Sequence, residues 1–304
     1  MDPLDDLARR IRLGEDSELE LKRVLLAGAR VTAPGRGDFA DELQSRVIRF
    51  DEYPVPSTSP ADLDLSLARR FLRGDAEPAD ASLRKLRIVA DDDDGIPRLT
   101  VTGVLLCTQE PQRWMPHAQI QAVSYAGDRR EVRYQTDARD LGGPLDAQIR
   151  EALHFVRRNM WIRATKELAR VEQPQFSERA IFEALVNAVA HRDYSMAGAR
   201  VRLHMFGDRL ELYVPGGLAN TLTPDSMPLR QYNRNELIVS LLARCPVGPD
   251  EGLGRSYLMD CRGDGVPIIL EESTRLAGRA PEYSLIDHSE LRLVIWATAV
   301  PIFL

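Results

Sequence analysis

Lysine is almost absent from this chain: of 40 basic side chains, only Lys22, Lys85 and Lys166 are lysines. Arginine carries the rest, which we read as codon bias rather than as an arginine-built phosphate clamp. Cysteine is equally scarce, with Cys107, Cys245 and Cys261 widely spaced and no C-x-x-C pair. That excludes a disulfide framework and a structural zinc site, and it suits a reducing, cytoplasmic location. No apolar stretch approaches the ~20 residues of a spanning helix, so no membrane partner is expected. The opening MDPLDDLARR has no apolar h-region and reads as no signal peptide. The G-x-x-x-x-G-K-[ST] pattern is missing, which leaves P-loop translocation without support. Internal repeats and low-complexity tracts are also missing.

What is present is ordinary globular composition: 304 residues, 44% hydrophobic and 28% charged. That length predicts roughly two domains. The formal net charge of -6 argues against a general nucleic-acid coat. A local basic face remains open at Arg157, Arg158, Arg163, Lys166 and Arg170, readable as a solvated helix face or as a nucleic-acid surface.

Apolar periodicity sets the organisation. Helices are predicted over DPLDDLARRIR, from GRGDFADELQ, and over DLDLSLARRFLRG, LDAQIREALHFVRRNM, ERAIFEALVNAVAHRDY, RNELIVSLLARC and RSYLMDCRG. LRKLRIVADDDDGIPRLTVTGVLLC reads as strand, acidic turn, strand, with Asp91–Asp94 as a hairpin tip and not a cation site. Residues 118–136 give a second hairpin, residues 199–214 a third around Gly207-Asp208, and two strands close the chain. The expected class is α+β.

The stretch that carries chemistry is Glu183-Ala-Leu-Val-Asn187-Ala-Val-Ala-His191-Arg192-Asp193-Tyr194. Glu183 and Asn187 are i and i+4 on a helix, and His191 follows one turn on. A carboxylate, an amide and an imidazole in line on an otherwise apolar helix are costly to bury without partners; the bland alternative is a polar stripe facing water. Downstream, Pro215-Gly216-Gly217 ends a strand in a Gly pair that permits close ligand approach. Arg234 and Asn235 stand just before a helix, a natural anion site. Asp250-Glu251-Gly252-Leu253-Gly254-Arg255 is a Gly-rich turn whose backbone N–H groups suit phosphates.

ERAIFEALVNAVAHRDYS, RLELYVPGGL, RNELI and EGLGRS, in that order, resemble the RecG-like C-terminal ATP-binding domain, a divergent branch of the GHKL fold. TVTGVLLCTQEPQRWMPHAQI resembles the segment that precedes it. The resemblance implies a GHKL-like α/β sandwich at 141–304, with ATP and Mg²⁺ as cofactors. Asn187 would hold the Mg²⁺ that bridges the triphosphate, and Glu183 would orient the attacking water. His191, Arg192 and Asp193 would organise water or phosphates. Pro215, Gly216 and Gly217 would lie on the adenine side, with Arg234, Asn235, Gly252, Gly254 and Arg255 on the phosphate side. The chain departs from the GHKL pattern at VPGGL, which lacks the Asp that accepts the adenine amino proton.

Gly14 to Lys22 resembles the opening of Schlafen/AlbA-type domains, here without that domain's middle. Residues 1–56 therefore read as a small, incomplete α+β N-terminal region, and 57–140 as a connecting helix and β-hairpin region. The implied function is an ATP-binding transcriptional regulator, weakly hydrolysing at most. Nucleotide would order a lid between Gly217 and Gly252 and modulate a homodimer or its DNA contact. The alternatives are a degenerate scaffold acting without nucleotide, and a Schlafen-type nuclease using Glu15 and Glu20.

Overall fold

The computed structural model describes residues 49–72, 79–166, 170–218, 222–230, 232–248, 254–260 and 263–298. The chain divides into two compact units, Met1–Arg49 and Phe50–Leu304. The Schlafen-like reading of Gly14–Lys22 and the two helices expected before residue 43 lie outside the described residues.

Within the second unit, α1 spans Leu65–Arg69, α2 Asp80–Lys85, β1 Val89–Asp91, β2 Pro97–Leu99 and α3 Val101–Cys107. β3 is Ile120–Tyr125, β4 Gln135–Leu141, α4 Leu145–Asn159, β5 Ile162–Lys166 and β6 Arg170–Pro174. Then come α5 (Glu178–His191), β7 (Val201–Met205), β8 (Arg209–Pro215), α6 (Glu236–Leu242), α7 (Gly265–Ala277), β9 (Glu282–Ile286) and β10 (Glu290–Trp296). The class is mixed α+β, as the composition and periodicity predict, and it is built on a six-stranded sheet in the order β4-β3-β7-β8-β10-β9. β3 and β7 run parallel; the other neighbours are antiparallel. The α4, α5 and α7 helices pack together against this sheet, the α/β sandwich expected of a GHKL-like domain.

Alternation in the strands explains the layering. Val201, Leu203 and Met205 of β7, Leu210, Leu212 and Val214 of β8, and Leu293 and Ile295 of β10 are all buried. They point to the helix side because strand side chains alternate with period two. The opposite face is more polar, yet His204 is buried there among Tyr125 and Tyr213, with ring centroids 5.9 and 5.6 Å away.

The residues expected to form a connecting region share this body. β3 and β4 belong to the same sheet as β7–β10, so a boundary at 140/141 would pass between two parts of one layer. Arg70 pairs with buried Asp146 at 2.5 and 2.9 Å. Asp51 accepts the amide of Leu237 at 2.7 Å and that of Ile238 at 3.4 Å, closing the start of α6.

Two local expectations are corrected. TVTGVLLC, expected as a strand, is the buried helix α3. The Thr100 hydroxyl accepts the Gly103 amide at 3.0 Å as an N-cap, and a Cβ at Gly103 would collide with the Ile88 carbonyl. Capping and close packing thus override the β propensity of Val and Thr. The helix expected over RSYLMDCRG is not formed by its described residues, which run as irregular backbone with a bridge from Tyr257 to Pro246. The helix in this part of the chain is α7, which tolerates Pro267 because it falls in the first turn.

Candidate functional site

Helix α5 is positioned by both of its ends. Ser177 caps the start by accepting the Ala180 amide at 3.4 Å. At the other end the buried Asn235 amide donates to the Ala190 and Arg192 carbonyls at 2.9 and 2.8 Å. Asn235 therefore serves helix termination rather than a ligand. With the ends fixed, Glu183, Asn187 and His191 are stacked turn by turn along one side of a cleft.

That cleft has an open volume of ≈ 1260 Å³ counting the solvent in its mouth. Its floor is the sheet, through Leu212, Val214, Leu291, Leu293 and Tyr283. One wall is α5 and another is the start of α7 with Gly263, Gly265, Val266 and Ile269. The rim is formed by Arg230, Tyr232, Asn233 and Arg234.

Glu183 is buried, 4% exposed, and forms an ion pair with Arg255. Burial pushes its carboxyl above the usual carboxylate range, and the Arg255 and Arg179 guanidinium groups partly offset this. Asn187 lies against the first residue of α7: a Cβ on Gly265 would stand 2.7 Å from its Nδ2 and 3.2 Å from its Oδ1. The Asn187 amide is thus set beside the free N–H groups of a helix start, where the helix dipole favours an anion. His191 is lowered to about 4, chiefly by burial and then by the Arg234 guanidinium, so it is neutral at pH 7.

The HRDY and PGG motifs interlock. The Asp193 amide donates to the Pro215 carbonyl at 2.8 Å. Its Oδ1 accepts from the Ser195 amide and hydroxyl, and its Oδ2 pairs with Arg234 at 2.7 Å. Gly216, at φ 115°, brings its Cα so near that a Cβ would lie 2.8 Å from the Asp193 Cβ. Gly217 packs on the His288 carbonyl and accepts from Arg234 through its own carbonyl. Both glycines are required by this approach.

Of the residues singled out in sequence, Glu183, Asn187, His191, Gly216, Gly217 and Arg234 line the cleft, with Asp193 and Arg255 each paired to a lining residue. Pro215 contributes its carbonyl to Asp193. Arg192 is not brought in: it is 1% exposed, donates to the Ala199 carbonyl at 2.6 Å, and lies over the Tyr194 ring. Gly254 takes φ 65° in open space and does not line the cleft; Gly252 lies outside the described residues. The Gly-rich turn that does run into a helix beside Asn187 is Gly263-Asp264-Gly265. Its signal was Gly-x-Gly followed by Val266, Ile269 and Leu270 at helical spacing and by Gly278 as a left-handed stop.

Residues 198–295 match the family described as "Putative ATP-dependent DNA helicase recG C-terminal". The match runs from β7 into β10 and takes in the cleft floor, the PGG turn and the start of α7. A match to an ATPase-type family of this kind suggests ATP binding. No curated protein matches the chain. Among solved structures, the DIP2311 protein from Corynebacterium diphtheriae is similar, with TM-score 0.62 and 18% identity over 87% of this chain and 51% of that one. At that identity the likeness concerns the fold, and the present chain spans about half of that protein's length. No described helix is long and apolar enough to cross a membrane.

Proposed function

We propose that the cleft binds ATP with Mg²⁺. The observation that carries this reading is the Asn187 amide packed on Gly265 at the start of α7, inside a cleft whose floor belongs to the ATPase-type match. The phosphates would take the N–H groups of Gly265 and Val266, since Pro267 has none and the Ile268 amide donates to the Asp264 carbonyl. Among the described residues no cluster of three His, Cys, Asp or Glu side chains could hold a metal alone. This suits a cation carried in on a polyphosphate, since Mg²⁺ commonly keeps few protein ligands beside phosphate oxygens. Asn187 would be its protein ligand, and the cation would neutralise phosphate charge.

Glu183 is the group placed to accept a proton from water, its carboxyl raised by burial. Its pairing with Arg255 opposes that role until the guanidinium is drawn to another anion. His191, neutral at pH 7, offers a hydrogen bond and not a charge. Arg234 holds the Asp193 carboxylate and the Gly217 carbonyl, so it shapes the rim rather than adding a free cation.

Titration calorimetry of Mg·ATP into the wild type and Asn187→Ala tests this. Clear heat in the wild type and a loss of at least tenfold in affinity in the variant are expected. Equal heats, or none in either, overturn the reading and favour a scaffold that works without nucleotide.

The regulatory half of the proposal has nucleotide ordering the cleft mouth and altering a homodimer or its DNA contact. It rests on the resemblance of the N-terminal segment to Schlafen/AlbA-type domains. Sedimentation and DNA-shift measurements with and without Mg·ATP test it, and identical behaviour in both conditions refutes it.

A further inference from the structure

The floor of the cleft carries a second message, about the part of a ligand that is not phosphate. Strand register lays its side chains in rows. Leu212 of β8 faces Leu293 of β10, which faces Tyr283 of β9. Val214 faces Leu291 in the adjacent row. Ile269 and Val266 of α7 and Ala184 and Ala188 of α5 line the same cleft. The result is a flat aliphatic surface suited to the face of a planar ring.

Tyr283 supplies the one polar side-chain atom that the sheet presents to this cleft. Tyr283 is half-buried, and its hydroxyl has no hydrogen-bond partner among the described residues. A half-buried phenol hydroxyl on the cleft lining, without a protein partner, is open to a hydrogen bond with a ligand atom. Every other polar group lining the cleft belongs to a helix, the rim loop or the segment before α7. Glu183 and Arg234 among these are already paired.

We infer that Tyr283 reads the base of the bound nucleotide, and that the site takes adenine and guanine nucleotides with similar affinity. This rests on the nucleotide reading above and adds the recognition of the base. The chemistry follows from the hydroxyl. A carboxylate would accept from the adenine amino group and repel the guanine carbonyl, giving sharp discrimination. A phenol O–H donates and accepts, so it can pair with an amino group, a ring nitrogen or a carbonyl. One neutral hydrogen bond, exchanged for another, separates the two bases weakly.

The test compares Mg·ATP, Mg·GTP and Mg·tripolyphosphate on the wild type and Tyr283→Phe by titration calorimetry. Phenylalanine removes only the oxygen, and an unchanged melting temperature verifies the fold. Expected are ATP and GTP dissociation constants within about tenfold of each other. Expected too is a weakening of both by about two- to tenfold in the variant, the range of one neutral hydrogen bond, with tripolyphosphate unaffected. An ATP affinity unchanged in Tyr283→Phe, a base preference above tenfold, or an equal loss for tripolyphosphate overturns the inference while leaving nucleotide binding intact. A wild type that binds no nucleotide overturns both.

Discussion

Replacing Gly265 by alanine separates ligand binding from stability. Gly265 opens α7 with backbone that any residue adopts, so the substitution introduces no left-handed strain. Alanine is favoured over glycine in helices by up to about 1 kcal/mol, less at a first position, so stability holds or rises slightly. The added methyl would stand 2.7 Å from Asn187 Nδ2, 3.2 Å from its Oδ1 and 3.4 Å from its Cγ. Comfortable heavy-atom contact needs about 3.5–4.0 Å, so the amide must retreat by roughly 1 Å. Displacement on that scale commonly costs a site about 10²-fold, or ~2.7 kcal/mol. Mg·ATP titration and a thermal melt, run on the same preparation, read the two quantities together. The expected pair is a melting temperature equal to or above wild type with nucleotide affinity reduced about ten- to a hundredfold. Undiminished affinity in a stable Gly265→Ala protein would refute the claim that the Asn187–Gly265 contact sets the binding geometry.

Further expectations follow from pairings on the α5 side. Glu183→Gln frees Arg255 from its ion pair, so ATP binding strengthens several-fold, and the gain vanishes when Arg255→Ala is added; affinities of the four proteins form the cycle that checks it. Asn235→Ala removes two buried hydrogen bonds at the end of α5 and lowers stability by about 2 kcal/mol in urea titration, with each bond contributing about 1 kcal/mol. Asp146→Ala strands the largely buried Arg70 and costs about 3–5 kcal/mol in the same assay. His204 is lowered to about 4, chiefly by burial. The unfolded chain binds a proton below the ordinary histidine value near 6.5 and the folded chain does not, so stability falls as pH drops from about 6.5 toward 4. Chemical unfolding of His204→Phe across that window loses a slope of at most about 1.4 kcal/mol per pH unit relative to wild type.

How much of this was legible depended on whether the deciding contact is local. Helix α5 was readable because its spacing and its Ser177 cap lie within a few residues. The β7–β8 pair was readable from alternation around Gly207-Asp208. Helix α3 was misread because its cap and its Gly103 contact with Ile88 decide against the propensity of Val and Thr. Helix α7 does not follow from the sequence reading, and it forms around Pro267 because that residue falls in its first turn. In the site, the Glu183–Asn187–His191 line was visible by spacing. The roles of Asn235 and Arg192 were not, because an amide before a helix and an arginine in HRDY look ligand-ready until their carbonyl partners are known. Tyr283 could not be found at all from local sequence, since only the β8-β10-β9 register places it on the floor.

The Asp51 carboxylate that closes α6 sets a limit on modular exchange. It joins residues 186 positions apart, and through α6 it borders a rim of the cleft. A fragment cut at residue 56, where the sequence suggests a domain edge, would expose the two amides that begin α6 and remove the strut beneath the Arg234 loop. A junction that keeps this closure therefore falls before Asp51.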